Sequence, residues 1–225
     1  MKRKKQYELS IWVLLLRFIA GYINVMTLLL FAQMLAGHTG SLTTAAMLFS
    51  DGNIDAMLRV LGLTFSFFFG TIVSGYFYPT NKFHPRMQYG VFLIIMGIIL
   101  FLFDVLGYNS LFFLTYISFT LGIQNGMFVF YRGIVVRTTI LTGTITDIGV
   151  ELGRRFKGVT AERWKLRFHL VNVLFFMAGA SVAMAISLYT DWSLLVVAGI
   201  IDILIGLYFF ALRDDLIEAI RESMK

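Results

Sequence analysis

Cysteine is absent from this 225-residue chain, which excludes disulfide bonds and thiolate chemistry. Charged residues make up only 14% of the chain and hydrophobic residues 58%, whereas about a quarter of the residues of a soluble domain are charged. The three histidines form no set of metal ligands. The net charge of +6 lies between apolar runs, so no nucleic-acid partner is expected. The absence of cysteine and the low proportion of charged residues predict an integral membrane protein whose partner is the lipid bilayer. No metal or cofactor is expected.

Six apolar runs account for most of the chain, whose mean hydropathy is +0.80. Each run is long enough to cross a hydrocarbon core of about 30 Å as a helix. The predicted fold is therefore all-α, a polytopic membrane helical bundle forming a single transmembrane domain over 1–225. The predicted spans are roughly 10–34, 56–78, 87–107, 110–131, 168–189 and 192–212.

One polar pattern occurs twice: a glycine, an asparagine three residues later, and further on a Thr-Gly-(Ser/Thr) element. Weaker similarities link 59–70 with 167–178 and 97–100 with 199–202. We therefore expect two repeats of three spans each, about 10–107 and 110–212. The pattern comprises Gly21, Asn24, Thr39, Gly40 and Ser41 in the first copy, and Gly122, Asn125, Thr142, Gly143 and Thr144 in the second.

The short stretches 41–50 and 144–155 directly follow the two Thr-Gly elements. They are long enough to cross only about half of the hydrocarbon core. We predict two half-helices whose hydroxyl-rich starts are N-caps pointing N–H groups toward a polar centre. The alternative is that both helices lie in the membrane interface, where the caps only terminate them.

Lysine and arginine fix the predicted orientation. All of them except Arg17 and Arg59 fall on one side of the six-span arrangement. That side is predicted to be the cytoplasm, with both termini in it. The first and fourth spans then cross in opposite directions, so the repeat is inverted.

Polar residues on spans one and four are costly against lipid and should face the protein interior. We expect Asn24, Asn125 and Gln124 to line one substrate pathway near mid-membrane, together with the two Thr-Gly elements. The alternative is that the glycines permit close helix packing and the asparagines hydrogen-bond helices to each other.

Two deep charges lack a counterpart in the other repeat. Arg17 lies about 12 Å inside span one, and Asp202 lies about 15 Å inside span six from the opposite face. Because these depths nearly coincide, we predict that the two residues pair or share a polar cavity, as a charged gate. Alternatively, Arg17 reaches the cytoplasmic headgroups.

Evidence for catalysis is weak, so no enzyme activity is expected. His38 and Ser41 have the spacing of a base and a nucleophile on one helix face, but Ser41 is better explained as a helix cap. Small residues at Gly70, Ser74, Gly75 and 178–183 predict close packing, either inside the bundle or between subunits of a homo-oligomer.

The stretch Gly122-Ile123-Gln124-Asn125, followed by 137–144 (Arg-Thr-Thr-Ile-Leu-Thr-Gly-Thr), resembles the YoaK-like family of uncharacterised bacterial six-span membrane proteins. The resemblance covers nearly the whole chain and implies a multi-pass protein of the bacterial cytoplasmic membrane. Members of that family usually carry an acidic residue where this chain has Asn24, and Thr-Gly-Asn or Ser-Gly-Asn where it has Thr39-Gly40-Ser41. The resemblance implies no established activity.

The sequence therefore predicts a small transporter or permease for a polar or anionic small solute, with its site between two inverted repeats. The competing hypothesis is a non-transporting bundle that acts as a partner or assembly factor. That bundle would have a dry, tightly packed centre.

Overall fold

The computed structural model describes residues 3–78, 85–127, 129–131, 134–159 and 162–223. Among these residues, five helices are long and apolar enough to cross a membrane: α1, α3, α4, α7 and α8. The all-helical, multi-pass prediction is thereby confirmed. The elements are α1 (Arg3–Phe31), α2 (Thr39–Ser50), α3 (Ile54–Phe77), α4 (Gln88–Leu106), α5 (Ser110–Gly126), β1 (Val129–Tyr131), β2 (Ile134–Val136), α6 (Thr142–Phe156), α7 (Arg163–Tyr189) and α8 (Leu194–Ser223).

The predicted fourth span, 110–131, is too long. Helix α5 ends at Gly126, after 17 residues, and the chain continues into the antiparallel pair β1–β2, with Val129 opposite Val136. The two strands are rich in β-branched and aromatic residues, and the sequence between them is Arg132-Gly133. Two such runs separated by a glycine-containing pair are typical of a β-hairpin.

Close backbone contacts at glycine position the long helices against each other. A Cβ added to Gly21 in α1 would overlap the Phe176 carbonyl oxygen in α7, and one added to Gly179 would overlap that of Phe18. The α3–α5 pair has the same arrangement, in which Gly122 meets Phe67 and Gly70 meets Phe119. Small residues permit this approach where no water is present to drive helices together.

Helices α4 and α8 run antiparallel and also meet at glycines. Gly97 packs against Gly199, and Gly90 packs against Gly206. Helix α1 is antiparallel to α8, because Trp12 contacts Phe209 while the Tyr22 hydroxyl donates to the Leu194 carbonyl at the other end. It is likewise antiparallel to α5: Gln124 bonds the Leu16 carbonyl and Phe31 contacts Phe113.

Helices α2 and α6 are short, as predicted, and pack against α3 and α7 respectively. The predicted hydroxyl caps do not form. Both helices begin two residues earlier than expected, at Thr39 and Thr142, and neither preceding residue makes a side-chain cap. Their later hydroxyls lie inside the first turn, where Thr43 donates to the Thr39 carbonyl and Thr146 donates to that of Thr142.

The exterior of the bundle is strongly apolar. Phe65, Phe68, Phe69 and Ile72 are all at least half exposed along α3, and similar side chains cover the outward faces of the other long helices. A continuous apolar surface of this kind fits a lipid environment. The predicted small-residue surface is partly internal, because Gly70 packs against α5 and Ser74 against Gly126.

Candidate functional site

Arg17 is the best-bonded buried polar residue of the bundle. It lies in α1 with 2% of its surface exposed. Its Nη1 donates to the Ile140 carbonyl oxygen at 2.8 Å, its Nη2 to Thr144 Oγ1 at 3.2 Å and its Nε to Asn172 Oδ1 at 3.3 Å. All three acceptors are neutral, and no ion pair to Arg17 occurs in the described part of the chain. The guanidinium therefore has no carboxylate bonded to it among the described residues.

The predicted pairing of Arg17 with Asp202 is wrong. Asp202 is fully buried in α8, and neither of its carboxylate oxygens has a hydrogen-bond partner within the described ranges. The two residues do lie at a similar level along the bundle, because both fall between the two contacts that join α1 to α8. Arg17, however, points toward α6 and α7. Depth follows from counting residues, whereas direction around a helix depends on which neighbours the fold supplies.

A cavity of about 110 Å³ surrounds the Arg17 guanidinium. The start of α6 borders it with Gly143 and Thr144, where unsatisfied N–H groups and the positive helix end favour an anion. One acid also borders it: Asp147 Oδ2 lies 3.9 Å from His169 Nε2. The lining residues are Arg17, Ile134, Val135, Val136, Arg137, Ile140, Gly143, Thr144, Asp147, Phe168, His169 and Asn172.

A second cleft, of about 370 Å³, adjoins the Arg17 cavity. The two share Ile134, Val135, Asp147 and His169. The cleft extends to Arg154 and Lys165, in the segment between the fourth and fifth predicted spans. The Arg17 cavity therefore lies next to a polar cleft at the basic end of the bundle.

The two asparagines position loops. Asn24 Oδ1 accepts the Ala36 N–H at 3.0 Å, and Asn125 Oδ1 accepts the Thr139 N–H at 3.5 Å. Each bond ties the segment before a short helix back to the preceding long helix. Neither asparagine lines the Arg17 cavity or the cavity beside α2. The two asparagines are therefore not placed to contact a solute in either of these cavities, contrary to the prediction for both.

The predicted single pathway divides into two cavities. Gly40 and Ser41 line one of about 290 Å³, which has no charged residue in its wall, whereas Gly143 and Thr144 line the Arg17 cavity. The two walls share no residue. Helices α1 and α5 run antiparallel, so their C-terminal ends lie at opposite ends of the bundle. The short helix α2 follows α1 and the short helix α6 follows α5, so α2 and α6 also lie toward opposite ends. Thr39 and Thr142 are exposed and line neither cavity.

Gln124 joins the two halves of the chain. It is 1% exposed, and its Nε2 donates to the Leu16 carbonyl oxygen at 3.1 Å. Its Oε1 has no partner among the residues described. The side chain therefore fastens α5 to α1 one residue away from Arg17, without entering the cavity.

His38 occupies a polar junction on the other side of the bundle. Its Nδ1 lies 3.3 Å from Thr64 Oγ1, and its Nε2 lies 3.4 Å from Ser118 Oγ. Its ring packs against Phe67, and burial lowers its pKa to about 4. Neither nitrogen bonds Ser41, so the base and nucleophile arrangement considered above is not formed.

Four polar residues around Arg17 were not predicted as site residues: Arg137, Asp147, His169 and Asn172. Asn172 was the easiest of them to identify from the sequence. A single amide side chain inside an apolar run is costly against lipid, so it is expected to face the protein interior. His169 and Asp147 lie near helix ends, where polar residues are common and carry no such indication.

A chain of several apolar helices around a cavity with a buried arginine is a multi-pass helical membrane protein. Within that class, the chain belongs to the family described as a protein of unknown function, DUF1275, which matches residues 12–207. This confirms the resemblance to the YoaK-like family. No curated protein and no solved structure matches the chain.

Proposed function

We propose that the protein is a transporter or permease for a small anionic solute, which binds at Arg17. The observation that carries the proposal is a buried guanidinium whose partners are all neutral, facing a polar cavity. A small anion there would supply the missing negative charge and accept charge-assisted hydrogen bonds. Buried ionisable groups at membrane depth commonly mark solute pathways.

We further infer that the halves of the chain form an inverted repeat, with the Arg17 cavity at their interface. Gly21 and Phe176 make the same contact in α1–α7 as Gly122 and Phe67 make in α5–α3. The contact between α2 and α3 likewise corresponds to the contact between α6 and α7, whereas the contact between α1 and α8 has no comparable equivalent between α5 and α4. The glycine contacts equate Gly70 with Gly179, one residue away from the match suggested by sequence, and they favour the three-plus-three arrangement.

The asparagine bonds support the same inference. Asn24 and Asn125 accept an N–H from Ala36 and Thr139, which precede their Thr-Gly elements by the same number of residues. The two short helices then border cavities toward opposite ends of the bundle. Transporters with inverted repeats use paired elements of this kind to expose one site alternately to either side.

We place the protein in the bacterial cytoplasmic membrane with both termini in the cytoplasm. The support is the concentration of lysine and arginine on one side of the spans. The Arg17 cavity joins the cleft that contains Arg154 and Lys165, so in this arrangement it faces the cytoplasm.

A non-transporting bundle is the second candidate function. The glycine-to-backbone contacts and the two loop-fixing asparagines favour it, because they stabilise a fixed structure. The two candidates differ in one property: only a transporter requires an anion to bind at Arg17 and cross the membrane.

The test combines binding and flux with purified full-length protein. Calorimetric titration with inorganic phosphate, sulfate and acetate would be followed by uptake of the bound anion into proteoliposomes. Arg17→Gln should weaken binding about 10- to 100-fold, because a hydrogen bond to a charged group contributes about 1.5–3 kcal/mol. Arg17→Lys should retain part of the anion affinity, because lysine keeps the positive charge but lacks the planar guanidinium that donates two parallel hydrogen bonds.

Arg59→Gln is the matched control, because Arg59 is an exposed arginine of α3 that lines no cavity described above. Circular dichroism would confirm that each variant is folded. Equal anion affinity in wild type and Arg17→Gln would refute the site. Binding without uptake by the wild-type protein would favour the non-transporting bundle.

A further inference from the structure

Asp202 is a buried acid with no use in the site described above. It lies in the middle of α8 with no exposed surface, and both carboxylate oxygens lack a hydrogen-bond partner in the described ranges. The Tyr116 hydroxyl of α5 is also buried and without a partner there. It lies within electrostatic range of the Asp202 carboxyl group. Two buried polar groups within electrostatic range of each other thus lack a hydrogen-bond partner among the described residues, and such groups require an explanation.

The position of Asp202 is held by close helix packing. Gly199 and Gly206, three residues before and four residues after it, touch α4 at Gly97 and Gly90. Residues three and four apart share a helix face. Asp202 therefore lies beside the α4–α8 contact, on the part of α8 that also packs along α1.

No positive charge faces Asp202 from the described residues of the helices around it. The charged and titratable groups of α1, α4 and α7 bond elsewhere or lie toward helix ends, and the Tyr116 hydroxyl of α5 lies within electrostatic range of the acid. On α1, Arg17 bonds α6 and α7, and the Tyr22 hydroxyl donates to the Leu194 carbonyl. On α4, Tyr89 stacks on Tyr78, and Asp104 accepts a hydrogen bond from Ser193. On α7, His169 lines the Arg17 cavity.

An ionised carboxylate in such surroundings is strongly disfavoured, so the group is expected to carry a proton. A metal cation fits poorly, because hard cations take six or more oxygen ligands, and no group of three or more acidic, histidine or cysteine side chains that could hold a metal occurs among the described residues. The packing does not require an acid either. In the similar stretches 97–100 and 199–202, the residue that matches Asp202 is Leu100 of α4, which is apolar.

We propose that Asp202 is a proton-binding site that couples proton movement to anion movement. The inference rests on the proposed transport function. When the proton is bound, Asp202 is a neutral carboxylic acid. When water reaches it, the O–H bond breaks, the proton passes to that water and a carboxylate remains. A proton that accompanies a singly charged anion leaves no net charge to move across the membrane.

The first experiment tests the proton site without transport. Infrared spectra of the purified protein near neutral pH should show the carbonyl band of a protonated carboxylic acid, and Asp202→Asn should remove it. Asp104→Asn, which changes an exposed acid of α4, should leave the band in place. Absence of the band from wild type, or its persistence in Asp202→Asn, would overturn the proposal. Asp202→Leu, which copies the side chain of Leu100, provides a second variant that should also lack the band.

The second experiment tests coupling in proteoliposomes with inorganic phosphate as the probe, and protein-free liposomes give the background. A gradient of one pH unit, acidic outside, should drive wild-type accumulation to about tenfold, because one-to-one coupling balances a tenfold proton gradient. Asp202→Asn should lose accumulation but keep exchange of labelled anion across equal concentrations.

The outcomes separate the two proposals. Wild-type flux that ignores the pH gradient, or follows a sodium gradient instead, overturns coupling and leaves transport standing. Absence of any wild-type flux overturns transport and the coupling with it. In that case the Asp202-dependent infrared band still establishes the proton site.

Discussion

Replacing Gly122 with alanine adds one methyl group where α5 touches α3. The new Cβ would overlap the Phe67 carbonyl oxygen, which belongs to the backbone and cannot rotate away. Overpacking of this kind costs about 1–3 kcal/mol, while alanine improves helix propensity by about 1 kcal/mol. The net expectation is a loss of up to about 2 kcal/mol of unfolding free energy.

Glycines of α3 itself supply matched controls. Gly70 meets the Phe119 carbonyl, whereas Gly62 and Gly75 have nothing within 4 Å. Gly62→Ala and Gly75→Ala should therefore be neutral or stabilising by up to about 1 kcal/mol. Gly70→Ala should resemble Gly122→Ala. In a chain of this size, 1 kcal/mol changes the Tm by about 2–4 °C.

The assay is thermal denaturation of the purified variants in one detergent, supported by denaturant titration. A double variant adds a test of the helix pairing. Gly21 and Gly122 lie in different interfaces, so their effects should add, whereas Gly21 and Gly179 share the α1–α7 interface and should not. Equal stability of Gly70→Ala and Gly62→Ala would refute the close α3–α5 contact.

Two further predictions concern the polar junctions. Asn24→Ala should destabilise the protein by about 1–3 kcal/mol by leaving the Ala36 N–H unsatisfied, and should speed amide exchange in the loop before α2. Asn125→Ala should do the same for Thr139 before α6, with a smaller effect because its bond is longer, at 3.5 Å; unchanged exchange in both would contradict the loop-fixing role. Burial lowers the pKa of His38 to about 4, so the unfolded chain binds a proton at this residue before the folded protein does. Stability should fall as pH drops from about 6.5 to about 4; His38→Gln should flatten that part of the Tm profile, and identical profiles would exclude the effect.

Local chemistry accounts for much of the architecture. Hydrophobic runs of span length form helices because a backbone in lipid must satisfy its hydrogen bonds internally. Five of the six predicted spans match apolar helices long enough to cross a membrane, and both short helices form where the Thr-Gly elements indicated. The error at 110–131 arose because an apolar run was taken as one helix, although its end has the composition of a strand.

The membrane class, the position of most helices and the similar level of Arg17 and Asp202 along the bundle can all be read from the sequence, because each follows from composition or from counting residues along a helix. Where those groups point depends on the packed bundle. Packing directs Arg17 to Ile140, Thr144 and Asn172, leaves Asp202 without a bond within the described ranges, and separates the two Thr-Gly elements into two cavities. Such contacts depend on which helices pack together and how each is rotated, and close glycine contacts between distant parts of the chain set that rotation.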